Sequence, residues 1–135
     1  MDTKMPKTTS LKAERGSTLV EFAPVLIVLL ALTFGMIDFA RYVYAISAVR
    51  SAAQEGARAG VKLEDLSNLQ TVAETAAENV MVALDVSKAN VVATHDTEQV
   101  LVDITYEFEF ITPLLAAATT TGTIEIDGSA SMFIY

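Results

Sequence analysis

The chain has no cysteine and no tryptophan, a single histidine, and only three prolines and six glycines in 135 residues. Without cysteine there are no disulfides, no thiolate metal ligands and no thiol nucleophile. With one histidine, His95, and no thiolate, a transition-metal centre lacks its usual donors; His95 reads as a solvent-facing residue at a strand end. Basic residues are also scarce, nine against seventeen acidic, for a net charge of −8. Residues 1–16 carry Lys4, Lys7, Lys12 and Arg15 against Asp2 and Glu14, a local excess of +2, which leaves −10 for the rest. An acidic body lacks the clustered basic surface that nucleic-acid binding needs, so no nucleic-acid partner is expected. There is no Gly-x-Ser-x-Gly elbow and no phosphate-binding loop. Glu107 and Glu109 share one strand face, where paired carboxylates are ordinary solvating charge. No catalytic constellation, cofactor site or small-molecule site stands out, and an enzyme is not expected.

What the chain does have is one long apolar run. From Thr18 to Ile37 there are 20 residues with a single charge, Glu21. As a helix they span roughly 30 Å, the thickness of a bilayer's hydrocarbon core. Four basic residues lie in the polar segment ahead of the run, and the next ones after it are Arg41 and Arg50. That bias places the N-terminus in the cytoplasm and the C-terminal part across the membrane. A secretory signal peptide is the weaker alternative, because its apolar core is only about 7–15 residues long. Pro24 inside the run predicts a kink.

Past the run, residues 38 to 61 continue the helix without proline. Ala45, Ala48, Ala52 and Ala59 recur at spacings of three, four and seven, and Ala53, Gly56 and Gly60 form an adjoining stripe. Small residues on one face favour close packing, on this chain's own domain or on other copies of the helix. Asp38–Arg41 and Glu55–Arg58 are i,i+3 pairs, each worth a few tenths of a kcal/mol as surface pairs. Ser67 and Gln70 suggest a capping box, opening a second, amphipathic helix that ends near Leu84.

The remainder predicts strands. Asn90 to Thr94 is a short one. From Gln99 to Ile111 the chain alternates, with Val100, Val102, Ile104, Tyr106, Phe108 and Phe110 on one face. Pro113 stops this strand, Leu114 to Gly122 is a small-residue connection, and Thr123 to Tyr135 alternates again. The fold class is α+β: a long N-terminal transmembrane helix, a second amphipathic helix, and a small antiparallel sheet. The expected packing sets Val102, Ile104, Tyr106 and Phe108 against the second helix. Three parts follow: a basic leader over 1–16, a long helix over 17–61 that spans the membrane over about 18–37, and an exported domain over 62–135.

Gly16-Ser17-Thr18-Leu19-Val20-Glu21-Phe22 resembles a type IV prepilin peptidase site, with Gly at the cut and Glu at the fifth mature position. More narrowly, the chain is similar to the TadE-like pseudopilins of the tight-adherence (Flp) pilus system. The likeness rests on Arg15-Gly16, Val20-Glu21-Phe22-Ala23, Ile37-Asp38-Phe39-Ala40-Arg41 and Ala52-Ala53-Gln54-Glu55-Gly56-Ala57-Arg58-Ala59. It covers the first half well; the second half matches in pattern only. It implies a pilin-like fold, cutting between Gly16 and Ser17, and an assembly role for Glu21 and Phe22. The implied partners are the membrane, the prepilin peptidase, other pilins or pseudopilins and the pilus assembly platform. A type II secretion pseudopilin shares this processing logic, and an unprocessed membrane-anchored binding module or adhesin is the alternative from another class.

Overall fold

The computed structural model describes residues 11–134, so residues 1–10 of the expected 1–16 leader, and Tyr135, lie outside the described residues. Helix α1 runs from Leu11 to Val61, 51 residues and about 77 Å at 1.5 Å per residue. It passes through Pro24 as one helix. It also starts earlier than expected at Ser17: Leu11-Lys12-Ala13-Glu14 are good helix formers and extend it upstream of the Gly16–Ser17 step.

After α1 comes a 3₁₀ turn, Leu66–Asn68, then α2, Leu69–Val80. The expected capping box is absent. Asp65, not Ser67, caps the turn, accepting from the Ser67 N–H at 2.9 Å and from its hydroxyl at 2.8 Å. Asp65 thereby takes the Ser67 N–H that Gln70 would accept in a capping box, and turns the Ser67 hydroxyl into a donor. Gln70 is engaged elsewhere. Its side chain donates to the Val91 carbonyl (2.7 Å) and accepts from the Ala93 N–H (2.8 Å). It thereby binds α2 to an edge strand and satisfies backbone groups that a neighbouring strand would otherwise pair. The helix stops at Val80 rather than near Leu84, and Met81 to Leu84 makes a turn closed by the Leu84 N–H on the Met81 carbonyl.

Strands β1 (Ala89–His95), β2 (Gln99–Glu109) and β3 (Thr123–Phe133) form one antiparallel sheet in the order β1-β2-β3. The register sets Val91 against Ile104 and Tyr106 against Ile126. The predicted alternation of β2 is realised: Val100, Val102, Ile104, Tyr106 and Phe108 are buried, with Phe110 packed at the core's margin. His95 ends β1 and is exposed. The connection from Leu114 to Gly122 is not wholly irregular. It holds a short helix α3, Pro113–Ala118, because proline suits a first helical turn and leucine and alanine extend it. The turn back into β3 uses Gly122 at φ +76°, a left-handed conformation that glycine adopts without strain.

The helix that covers β2 is α1, not α2. Both β2 and β3 lie against α1, while α2 lies beside α1 and over β1. The reason is the small-residue face of α1. A Cβ on Gly56 would sit 3.3 Å from both the Ala73 carbonyl oxygen and Val102 Cγ1. At Gly128 of β3 a Cβ would meet the Val49 backbone at 3.1 Å. Glycine and alanine let α1 approach α2 and the sheet at once, so it takes the central position. Residues 62–134 accordingly share their core with the second half of α1, through Ala45, Val49, Ala52, Ala53 and Ala57.

Candidate functional site

Helix α1 divides into two halves of different chemistry. Every residue from Leu19 to Leu30 is exposed, and the large apolar side chains continue bare through Leu32, Phe34, Met36 and Ile37. Among the described residues this is the one helix long and apolar enough to cross a membrane, and no residue of its most apolar stretch is buried against the folded domain. The Thr33 hydroxyl is bonded back to the Leu29 carbonyl at 2.8 Å, which suits a polar group on a lipid-facing helix. Gly16 and Ser17 lie in the helical backbone at the start of this half. Glu21 and Phe22 follow about one turn later, both exposed.

The second half is held by the chain itself. Ala45, Ala48, Ala52 and Gly56 are buried within this protein, so here the stripe packs on its own domain. Ala59 is half-buried, beside a shallow groove lined by Thr71, Val72 and Ala76 of α2.

Between the halves sits a residue that the sequence reading treated as a surface charge. Asp38 follows the apolar run directly and is fully buried. Its Oδ1 accepts from Arg41 Nη1 at 3.0 Å and from the Ile111 N–H at 3.2 Å; its Oδ2 accepts from the Thr112 N–H at 2.7 Å. Ile111 and Thr112 lie between β2 and α3, just ahead of the α3 backbone donors. One carboxylate thus ties the end of the sheet to α1, one residue beyond Ile37. A signal was present in the sequence. Thr112-Pro113 announces a helix start, which needs an acceptor, and an aspartate closing a long apolar run is well placed to supply one.

Arg41 completes the junction. Besides Asp38, its Nη1 reaches the Glu109 carbonyl at 3.4 Å, and its guanidinium carbon lies 5.2 Å from the Phe108 ring centre. The Phe108 ring makes edge contacts with Tyr42 at 5.7 Å and Phe110 at 5.4 Å. Alongside runs an open groove of about 890 Å³, bordered by Ala40, Tyr44, Leu84 and Phe110. On its rim Lys88 Nζ meets Glu109 Oε2 at 2.6 Å. That hydrogen bond raises the lysine's pKa and lowers the glutamate's. No buried side-chain nitrogen or oxygen among the described residues is left without a partner. The arrangement ties the domain to the point where the apolar half of α1 ends.

Residues 16–58 match the family described as TadE-like protein. Neither the curated proteins nor the solved structures contain a match to the chain. The matched segment opens on Gly16, spans the bare apolar half of α1 and the Asp38–Arg41 junction, and ends within the part of the helix that the domain grips. Over residues 16–58, most of this helix, the chain is similar to the TadE-like family.

Proposed function

We propose that this protein is a minor, pilin-like subunit, a pseudopilin, required to assemble a Tad/Flp-type adhesive pilus. The observation that carries the reading is the TadE-like match over residues 16–58, which begins at the glycine of the processing motif. The bare apolar half of α1 supports it, because a pilin helix must meet lipid before assembly and neighbouring helices afterwards. In this reading prepilin peptidase cuts between Gly16 and Ser17. Ser17 becomes the N-terminus, and the helix keeps a single pass through the inner membrane with the domain exported. Glu21 then pairs with the new α-amine of Ser17 on a neighbouring subunit. A carboxylate near membrane depth costs up to about 2.5–3.5 kcal/mol on insertion scales, and a cation supplied by a neighbour offsets it. Phe22 packs beside that pair. The protein works by association and not by catalysis.

Two measurements test the proposal together. Intact-mass analysis in cells with a prepilin peptidase is expected to find chains that begin at Ser17. Glu21→Val is expected to insert and be cut normally, yet to lose co-purification with partner pilins and to abolish pili. Chains that keep residues 1–16 would favour the unprocessed anchored module. Normal pili from Glu21→Val would remove Glu21 from assembly. Loss of protein secretion with intact pili would favour the type II pseudopilin.

A further inference from the structure

We propose that the uncharged corner joining β2 to β3, residues 110–124, seats on the surface of the same bilayer that α1 enters, with Ile111 in the lipid interface. This rests on α1 being a membrane anchor and adds a second lipid contact to it.

Three observations converge. The first is depth. Asp38 is one residue beyond Ile37, the end of the apolar run, and it holds the Ile111 and Thr112 backbone at 3.2 and 2.7 Å. No spacer separates the domain from the span, so this corner stands level with the end of the membrane helix.

The second is charge. Residues 110–124 contain no charged side chain, in a chain with 26 charged residues. The connections at the opposite end of the domain are the reverse: Lys62, Glu64 and Asp65 after α1, Asp96 and Glu98 between β1 and β2. Of the charges that flank the corner, Arg41 is paired with Asp38 and Lys88 with Glu109, and Asp85 accepts from the Ser87 hydroxyl, while Glu107 and Glu125, opposite one another on β2 and β3, are exposed to water. The corner itself thus brings no charged side chain to the lipid, and the carboxylates of Glu107 and Glu125 mark where the charged surface resumes.

The third is exposure. Ile111 is 66% exposed, and Pro113 and Ala117 are exposed beside it. Met36 and Phe39 on α1 are 73% and 67% exposed, so bare apolar side chains occur on both sides of the Asp38 link. Lipid already has to cover the α1 side, and the bilayer surface is the occupant that covers both without a further partner. Apolar side chains with hydroxyl-bearing neighbours, here Thr119 to Thr121, suit the headgroup boundary. The acidic body makes a zwitterionic surface the better fit than an anionic one.

The absence of tryptophan makes the test direct. The full chain carrying Ile111→Trp, or Ala117→Trp as a second reporter, is reconstituted in phosphatidylcholine vesicles. Leu29→Trp reports the anchor, and Phe133→Trp, 58% exposed at the far end of β3, reports water. Ile111→Trp and Ala117→Trp are expected to emit at shorter wavelength than Phe133→Trp. They should be quenched by lipid brominated near the headgroup and shielded several-fold from aqueous acrylamide. If Leu29→Trp is quenched by brominated lipid while both corner reporters behave like Phe133→Trp, the anchor stands and the seated corner is overturned. Shielding from acrylamide that grows with protein-to-lipid ratio, without quenching by lipid, would assign the corner to a second copy and overturn it too. Absence of lipid quenching at Leu29→Trp would overturn the anchor and this proposal with it.

Discussion

Removing the Asp38 carboxylate should be the most damaging single change at the junction, and its size follows from what it leaves behind. Asp38→Ala strips the acceptor from the Ile111 and Thr112 N–H groups and from Arg41. Thr112 is buried, so water replaces its partner poorly. An unsatisfied backbone donor costs about 1–3 kcal/mol, and Ile111, whose side chain is open to solvent, stands at the low end of that range. Arg41 contributes less, since its side chain is 42% exposed and solvent screens the pair. Together the loss is on the order of 3–4 kcal/mol, a large part of a stability of about 5–15 kcal/mol. With a urea slope of about 1–3 kcal/mol per molar, the unfolding midpoint should fall by roughly 1–4 M. The assay is urea unfolding of the full chain in mild detergent, followed by tyrosine fluorescence of the domain. Arg41→Ala is the internal control. If the ion pair is the source of stability, both variants lose the same amount. If the backbone caps are, Arg41→Ala loses about 1 kcal/mol, including its contact with Phe108, and Asp38→Ala about three times as much. Equal losses, or an unmoved midpoint for Asp38→Ala, would refute the capping argument.

Two further outcomes follow from packing and charge. Gly60→Ala would place a Cβ 2.6 Å from Leu69 Cδ1 and 2.9 Å from Val100 Cγ1. The β-branched Val100 has little room to yield, so overpacking of about 1–3 kcal/mol should outweigh the helix-propensity gain of about 1 kcal/mol, read as a lower denaturant midpoint. On acidification the domain should weaken below the ordinary carboxylate range. Glu109, held down by the Lys88 hydrogen bond, and Asp65 and Asp85, held down by bonds from Ser67 and Ser87, are depressed in the folded state. A depressed carboxylate contributes stability that is present above its unfolded pKa and lost as pH falls through its folded one. A pH series of unfolding midpoints should show this acid-side decline, and Lys88→Met should reduce it.

The amino-acid sequence by itself determined the elements whose evidence is local. The apolar run of α1 is visible as 20 consecutive residues with one carboxylate, and the inner face of β2 as an alternation from Val100 to Phe108. Both are periodicities of neighbouring side chains and need no knowledge of a partner. The Gly16–Phe22 segment and the TadE-like likeness are local as well, because they lie along one helix. Tertiary structure decided what each face meets. Alternation shows that β2 has an apolar face but not which helix covers it. That choice fell to α1 because Gly56 and the alanines permit close approach to α2 and the sheet together. Asp38 and Gln70 show the same limit for polar groups. In sequence each has a plausible partner three residues away, Arg41 for one and Ser67 for the other. In the fold their main partners lie 73 and 74 residues on for Asp38, and 21 and 23 residues on for Gln70. Those partners are backbone groups, which have no side-chain identity to be read, and only the folded chain brings them within reach.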